Sequence, residues 1–353
     1  MIRRGKRLRQ TSWCISIFAV IVVAGAGIRL EVDRGAAQAA AHRPSLRQVA
    51  AFELPGPPGK RFDYLTIDED DNYLLSAHLG AGLLHVVDLR TNTVVKTVRD
   101  VPGVEGVAYI ADGKKVYTAN WGDNTIGVID LARMAITKKL PTETKPDGIA
   151  YAAPFRKAYV SNERAKAESV IDVTTDTIVK VLRFESETGV PHYDPVARKI
   201  YVNLQDQNTL AVIDPATDTV VARYRVDGCQ QNHGMAIDAE HHRAFLSCEG
   251  NDTLTVFDLD THNAIAHLPM AKGADVVMFD PGLGRIYVAC GSGAISVFQM
   301  DDPAHFRKLP DFPVEPKIHS LVVDLRTHRV YAPAEEANGR PASKMFVFEA
   351  VTN

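Results

Sequence analysis

Acidic residues and histidines return at one register of this chain: Asp63, Glu105, Asp147, His192, His233, Asp275 and His319. Each stands just before, or one residue into, an apolar run, at a point where most neighbouring positions are apolar or turn-forming. Carboxylate and imidazole are the usual hard and borderline metal ligands, and carboxylates also pair with cations. Gathered around one opening, such residues suit a divalent metal or a cationic ligand. The plainer alternative is that any water-filled opening is lined by polar side chains. No pair has a short ligand spacing such as His-x-x-x-His, so only the fold can assemble the set.

A second group falls in short loops: His78, Asn120, Trp121, Asn162, Glu163, Gln205, Glu249, Glu335 and Glu336. The asparagines suit turns. Trp121, beside Gly122, either stacks on a ligand or caps a neighbouring unit. The ligand-binding candidates are thus Asp63, His78, Glu105, Trp121, Asp147, His192, His233, Glu249, Asp275 and His319. Cys14 lies in the N-terminal segment, which leaves Cys229, Cys248 and Cys290, an odd number that requires a free thiol or a bond to another chain. Cys229 can reach Cys248 in an oxidising compartment, although reduced, buried cysteines are the expectation. Cys229, His233, Cys248 and Cys290 form the sharpest copper or zinc set. His241, His242, His262 and His328 fall in turns on the opposite side and are expected to be solvated. There is no Gly-x-Ser-x-Gly elbow, phosphate-cradling glycine loop or zinc-finger spacing, though an active site drawn from single residues of many units leaves no local motif.

What could gather these residues is a repeat. An apolar strand ending in an acid recurs at Asp88, Asp130, Asp172, Asp214 and Asp258, in steps of 42, 42, 42 and 44. A second marker, Tyr117, Tyr159, Tyr201, Phe245, Tyr287 and Tyr331, keeps phase with it. Between Gly106 and Leu140 one unit contains four short runs rich in Val, Ile and Tyr, separated by Gly, Asp and Asn turns, which is a four-stranded meander. No such unit buries its own faces, so units must stack. The pattern predicts an all-β fold: a seven-bladed β-propeller of four-stranded antiparallel blades, with first strands near Phe62, Val107, Ile149, Val190, Met235, Val276 and Leu321. The last unit lacks a fourth strand, and 46–52 is expected to supply it and close the ring. The sixth unit departs from the repeat: Gln299 replaces the acid, and 301–320 is long and proline-rich.

Residues 1–41 read as a signal peptide or signal anchor, with Arg3, Arg4, Lys6, Arg7 and Arg9 before the apolar run from Trp13 to Ile28 and alanine-rich cleavage candidates after it; 42–353 form the propeller. Without the segment the chain has 33 basic and 41 acidic residues, a net charge of −8. An acidic body without a Lys/Arg cluster argues against a nucleic-acid partner.

The runs Val116-Tyr117-Thr118-Ala119-Asn120 and Ala158-Tyr159-Val160-Ser161-Asn162, with Asn124-Thr125-Ile126-Gly127-Val128-Ile129-Asp130 and Thr217-Asp218-Thr219-Val220-Val221, resemble the YVTN-type repeat of YncE-like bacterial propellers over about residues 45–350. That resemblance implies the propeller and export; it transfers no catalytic set. The expected protein is a periplasmic or secreted monomer, or one anchored to the inner membrane, that binds a protein or small-molecule ligand. The alternatives are a metal-dependent lactonase-like hydrolase or lyase at the channel mouth, and a copper- or zinc-binding protein. No cofactor is required by any motif, and a divalent metal is the one the residue types would suit.

Overall fold

The computed structural model describes residues 44–352, so the expected signal segment lies outside the described residues. Seven antiparallel sheets form the blades, in which consecutive strands pair except at the N-terminal strand and at the short extra strand of blade 6. The first strands are Leu65–Asp68, Val104–Ile110, Pro146–Ala152, Thr188–Asp194, Asn232–Asp238, Ala274–Asp280 and Val322–Asp324. Blade 7 is completed by Leu46–Glu53, which pairs with Arg340–Ala350 from Leu46 opposite Ala350 to Glu53 opposite Lys344. The termini therefore exchange a strand, as the sequence predicts. In blade 6 the irregular segment adds a two-residue strand, Phe312–Pro313, and Gln299 hydrogen-bonds three carbonyls, those of Leu283, Gly284 and Met300.

The core consists of apolar layers between neighbouring blades. Tyr117 and Val128 of blade 2 pack with Ala158 and Ile171 of blade 3, and Tyr331 and Val347 of blade 7 pack with Leu74 and Val87 of blade 1, closing the ring. Each marker of the repeat has a physical cause. The strand-ending acids accept turn N–H groups; Asp258 takes those of Asp260 and Thr261, both at 2.9 Å. The tyrosines tie blades together: Tyr159 Oη donates to Asp218 of blade 4 at 2.5 Å, where Lys157 Nζ also binds at 2.6 Å. Tyr117 and Lys115 repeat this clamp on Asp176. The outer strands manage their free edge with a bulge, since the ladder skips Val49, Val95, Thr137, Val179, Val221 and Ile265 in six blades. A bulge twists an edge away from further pairing.

At the channel mouth the blades approach most closely. A strand-two side chain reaches forward to the backbone at the start of the next blade: Ser161 Oγ to Gly189 O (2.5 Å), Asn203 Nδ2 to His233 O (2.7 Å) and Ser247 Oγ to Asp275 O (2.9 Å). The residue after the channel-mouth position is glycine in several blades. A Cβ on Gly106 would strike the Asp147 carbonyl oxygen, and one on Gly234 would strike that of Asp275. These glycines are required by the approach of the following blade.

Gly234→Ala is therefore expected to cost more than about 2 kcal/mol in denaturant unfolding, because neither backbone can yield. Gly291→Ala, whose Cβ would meet nothing closer than Gly273 O at 3.6 Å, is expected to stay within about 0.5 kcal/mol. Equal losses would contradict this account of the glycines.

Candidate functional site

Strand pairing sets three registers at one end of the channel. In blades 2 to 6 the first ladder pair, such as Pro146 with Asn162 or Asn232 with Cys248, is followed by the residue that forms an inner ring, and in blades 1 and 7 Asp63 and His319 precede the first ladder residues Leu65 and Val322. In blade order the ring is Asp63, Glu105, Asp147, Gly189, His233, Asp275 and His319. The residues just after strand two, Trp121, Glu163, Gln205, Glu249 and Gly291, form a rim, which Glu335 joins from within the longer strand Arg329–Ala337 of blade 7. Rim N–H groups donate to the carbonyl two residues before the ring position: Glu163 to Lys145 (2.8 Å), Gln205 to Glu187 (3.0 Å) and Gly291 to Gly273 (2.7 Å). The ring residues of blades 5 to 7 and part of the rim line one basin of about 480 Å3, with Arg61, Lys145, Lys317, Glu163, Gln205, Glu249, His233, Asp275, His319 and Glu335 in its wall.

Asp275 is the hub. Its Oδ2 lies 2.9 Å from His319 Nδ1 and its Oδ1 3.2 Å from His233 Nε2, which also meets Tyr64 Oη at 3.3 Å. Burial opposes the charge on Asp275, but the close imidazoles of His233 and His319, the latter hydrogen-bonded to Oδ2, hold its carboxyl far below the ordinary range. Burial likewise opposes charge on the rings. The Asp275 hydrogen bond outweighs it, with the charges of Asp275 and Asp147, and lifts His233 to about 9; His319 is raised through Asp275 and Asp63. On the opposite arc of the ring, burial and mutual repulsion push the acids up. Asp63 rises to about 6 despite His319 and Arg61, and Glu105 rises to about 9 through burial, Asp147 and Asp63. Asp147 is raised by burial against the pull of His233 and Lys145.

The basin's cations are engaged by carboxylates: Arg61 with Asp63 at 3.1 Å, Lys145 with Glu163, and Lys317 with Glu335 at 3.4 Å and Glu336 at 2.5 Å. Behind the wall, Ser161 Oγ lies 2.6 Å from Glu168 Oε1 as well as 2.5 Å from Gly189 O. A carbonyl cannot donate, so the single hydroxyl proton goes to Gly189, and Glu168, kept protonated by burial, donates to Ser161.

The sequence-predicted residues divide accordingly. Asp63, Glu105, Asp147, His233, Asp275 and His319 meet in the ring, and Glu249 stands on the rim. Trp121 is also a rim residue but is half-buried beside blade 3, with Lys145 Nζ and Arg164 Cζ each 5.4 Å from its ring centre. His192 is a correction: the ring position of blade 4 is Gly189, and His192, three residues on, lines a second cavity of about 410 Å3 along the inner strands, where burial lowers it to about 4. His78 is another. It ends strand two at a position buried in every blade, stacks on Phe62 at 3.9 Å and meets His85 at 3.2 Å, and burial lowers it to about 4. The cysteines are a third: Cys229 and Cys248 form a disulfide, against the expectation of reduced thiols, and Cys290 is buried beside Ser296. The sulfurs of Cys229 and Cys248 bond each other, so the copper or zinc set does not form in this oxidation state. Among the described residues no three His, Cys, Asp or Glu side chains are grouped to hold a metal ion. His241, His242 and His328, expected to be solvated, are half-exposed and pair with Asp238, Asp260 and Asp280.

Arg61, Lys145, Lys317 and Tyr64 fall outside the sequence expectation, which turns on acids and imidazoles at the ring. A signal existed: a base stands two residues before the ring position in Arg61-Phe62-Asp63, Lys145-Pro146-Asp147 and Lys317-Ile318-His319.

The raised groups fix a pH dependence. Unfolded, Glu105 ionises near 4.5 and His233 near 6.5, but folded both hold their proton to about 9. Stability therefore falls as pH rises, from about 4.5 for Glu105 and from about 6.5 for His233. Asp275 acts oppositely, and its contribution is lost in acid. Glu105→Gln is expected to match the parent near pH 4.5 and to exceed it by at least about 1 kcal/mol near pH 8.5 in denaturant unfolding. A variant less stable than the parent at pH 8.5 would show that Glu105 is instead an ionised, paired group.

No family model matches the chain, and no curated protein matches it significantly in sequence. Among solved structures, it is similar to one titled Kuenenia stuttgartiensis Hydrazine Synthase, with a TM-score of 0.70 and 16% identity over 80% of this chain and 94% of that one. At this identity the likeness shows the fold alone, a β-propeller.

Proposed function

We propose that this propeller is a binding module that takes a small polar ligand in the basin at its channel mouth. One observation carries the reading: ionisable side chains from five of the seven blades converge on a single cavity large enough for a metabolite. The clamps, layers and turn acids that hold the blades together lie elsewhere, so folding does not account for this convergence. The in-phase markers support a YVTN-type, YncE-like propeller, and the Cys229–Cys248 disulfide supports an exported, oxidising location. The protein acts as a monomer in this reading, since its ring closes within one chain.

A second reading has one observation in its favour. His319 gives Nδ1 to Asp275 and leaves Nε2 without a protein partner, the arrangement by which a carboxylate orients a metal-binding histidine. A divalent metal there would serve a lactonase-like hydrolase or lyase. Elemental analysis before and after EDTA tests it: bound metal in stoichiometric amount supports this reading, and metal-free protein with no affinity for added Zn, Cu, Ca or Mn removes it.

For the binding reading, a panel of small polar metabolites is expected to contain compounds that raise the melting temperature of the parent but not of Asp275→Asn. His192→Ala, which lies outside the basin, should retain the response. A panel with no active compound, or shifts that persist in Asp275→Asn, would contradict the proposal.

A further inference from the structure

The second cavity, of about 410 Å3, lies farther along the channel and shares no lining residue with the basin. Its wall comes almost entirely from the first strands of blades 1 to 4, and no Asp, Glu, Lys or Arg side chain takes part in it. One register makes the space. Three residues after the ring position, blades 1 to 3 have the small side chains of Thr66, Ala108 and Ala150, blade 4 has His192, and Met278 enters from blade 6. Pro195, in the turn after the first strand of blade 4, marks the end away from the ring. Thr66, Tyr109, Tyr151, His192, Tyr193 and Met278 are all only half-buried, so the cavity is open to solvent.

Four tyrosines, Tyr64, Tyr109, Tyr151 and Tyr193, supply ring surface to this wall rather than hydroxyls. Tyr64 Oη meets His233 Nε2 at 3.3 Å, Tyr109 Oη donates to Asp70 at 2.6 Å and Tyr151 Oη to Asp112 at 2.7 Å. Tyr193 has Pro154 where the preceding turn would hold such an acid, and its Oη is enclosed without a partner. The polar side chains left to meet a ligand are Thr66 and His192. An ion here would give up water with no opposite charge in the wall to replace it, whereas an uncharged ring gains tyrosine and thioether contacts. From this wall we infer that the channel carries a second ligand site, for a small uncharged aromatic molecule whose hydroxyl or carbonyl hydrogen-bonds His192. A neutral imidazole offers one donor and one acceptor, so either group is met in one tautomer or the other. The volume lies in the range usual for small-molecule sites, about 300–1,000 Å3. The site stands independently of the basin, whose wall is built of paired charges.

Methyl NMR of the full chain labelled at methionine tests this, at pH 8 where an ordinary histidine is also neutral. The probes are matched sets that differ in charge: benzyl alcohol with benzoate and benzylamine, and 2-naphthalenemethanol with 2-naphthoate and 2-naphthylmethylamine. At least one alcohol is expected to shift the Met278 methyl signal saturably and to bind at least about tenfold more tightly than both of its ionic counterparts. His192→Leu should remove the advantage of that alcohol over its parent hydrocarbon, toluene or 2-methylnaphthalene, without weakening the hydrocarbon. Ala150→Leu, which fills the cavity, should abolish binding of every probe; if that variant does not fold, Thr66→Leu at the same register takes its place. Ions that bind as tightly as the alcohols, binding that leaves the Met278 methyl unmoved or survives the filling variant, or an unaltered preference in His192→Leu would overturn the inference. So would the absence of saturable binding by either alcohol, which would make the channel a water-filled passage only.

Discussion

The backbone at the channel-mouth residues of blades 4, 5 and 6 is held by a strand-two side chain of the blade before it, and the chemistry of the mouth depends on that contact. Asn203 and Ser247 reach forward to the carbonyls of His233 and Asp275, and Gly234 leaves room for Asp275 to close in. A side chain in place of that glycine, or a shorter one in place of Asn203, would move the ring residue away from the axis. The Asp275 contacts with His233 and His319 join blades 5, 6 and 7, so they exist only while three blades keep their spacing. The apolar layers and tyrosine clamps hold the ring closed, and the mouth contacts fix the backbone of its ring residues in blades 4 to 6.

The ring is divided electrostatically. Blades 5 to 7 supply a carboxylate held between two imidazoles whose protons it retains, whereas blades 1 to 3 supply three buried carboxyls that resist ionisation together. Such pairs of opposed shifts are costly to fold around and mark a place where polar groups have been retained against stability. Of the ring residues, His233, Asp275 and His319 line the basin itself, whose cations Arg61, Lys145 and Lys317 are each paired with a carboxylate.

Most of the architecture was legible because its causes are local. The acids at Asp130 and Asp172 and the tyrosines at Tyr117 and Tyr159 recur because each satisfies the same turn or the same neighbouring blade. The strand exchange was legible too, since a unit lacking its fourth strand leaves an open edge that only the N-terminal run can cover. The site was legible only at six ring positions and Glu249. His192 was misplaced because blade 4 shifts its one polar channel residue by three positions, and repeat spacing alone does not show a substitution by Gly189. His78 failed because a strand end looks like a loop in sequence, and the burial that removes it from the mouth comes from Phe62 and His85. The disulfide could not be settled by spacing, because the loop carrying Cys229 must fold back before it meets Cys248 at a Cα separation of 5.3 Å.

The central claim is that Asp275 is held as an anion between two histidines that hold their protons above the ordinary range, and imidazole nitrogen NMR of His233 measures this directly. The account predicts that His233 remains doubly protonated at pH 8 and loses its proton near pH 9, and that Asp275→Asn returns the titration to the ordinary histidine range. A neutral His233 at pH 8 in the parent protein, or a titration unaffected by Asp275→Asn, would contradict it.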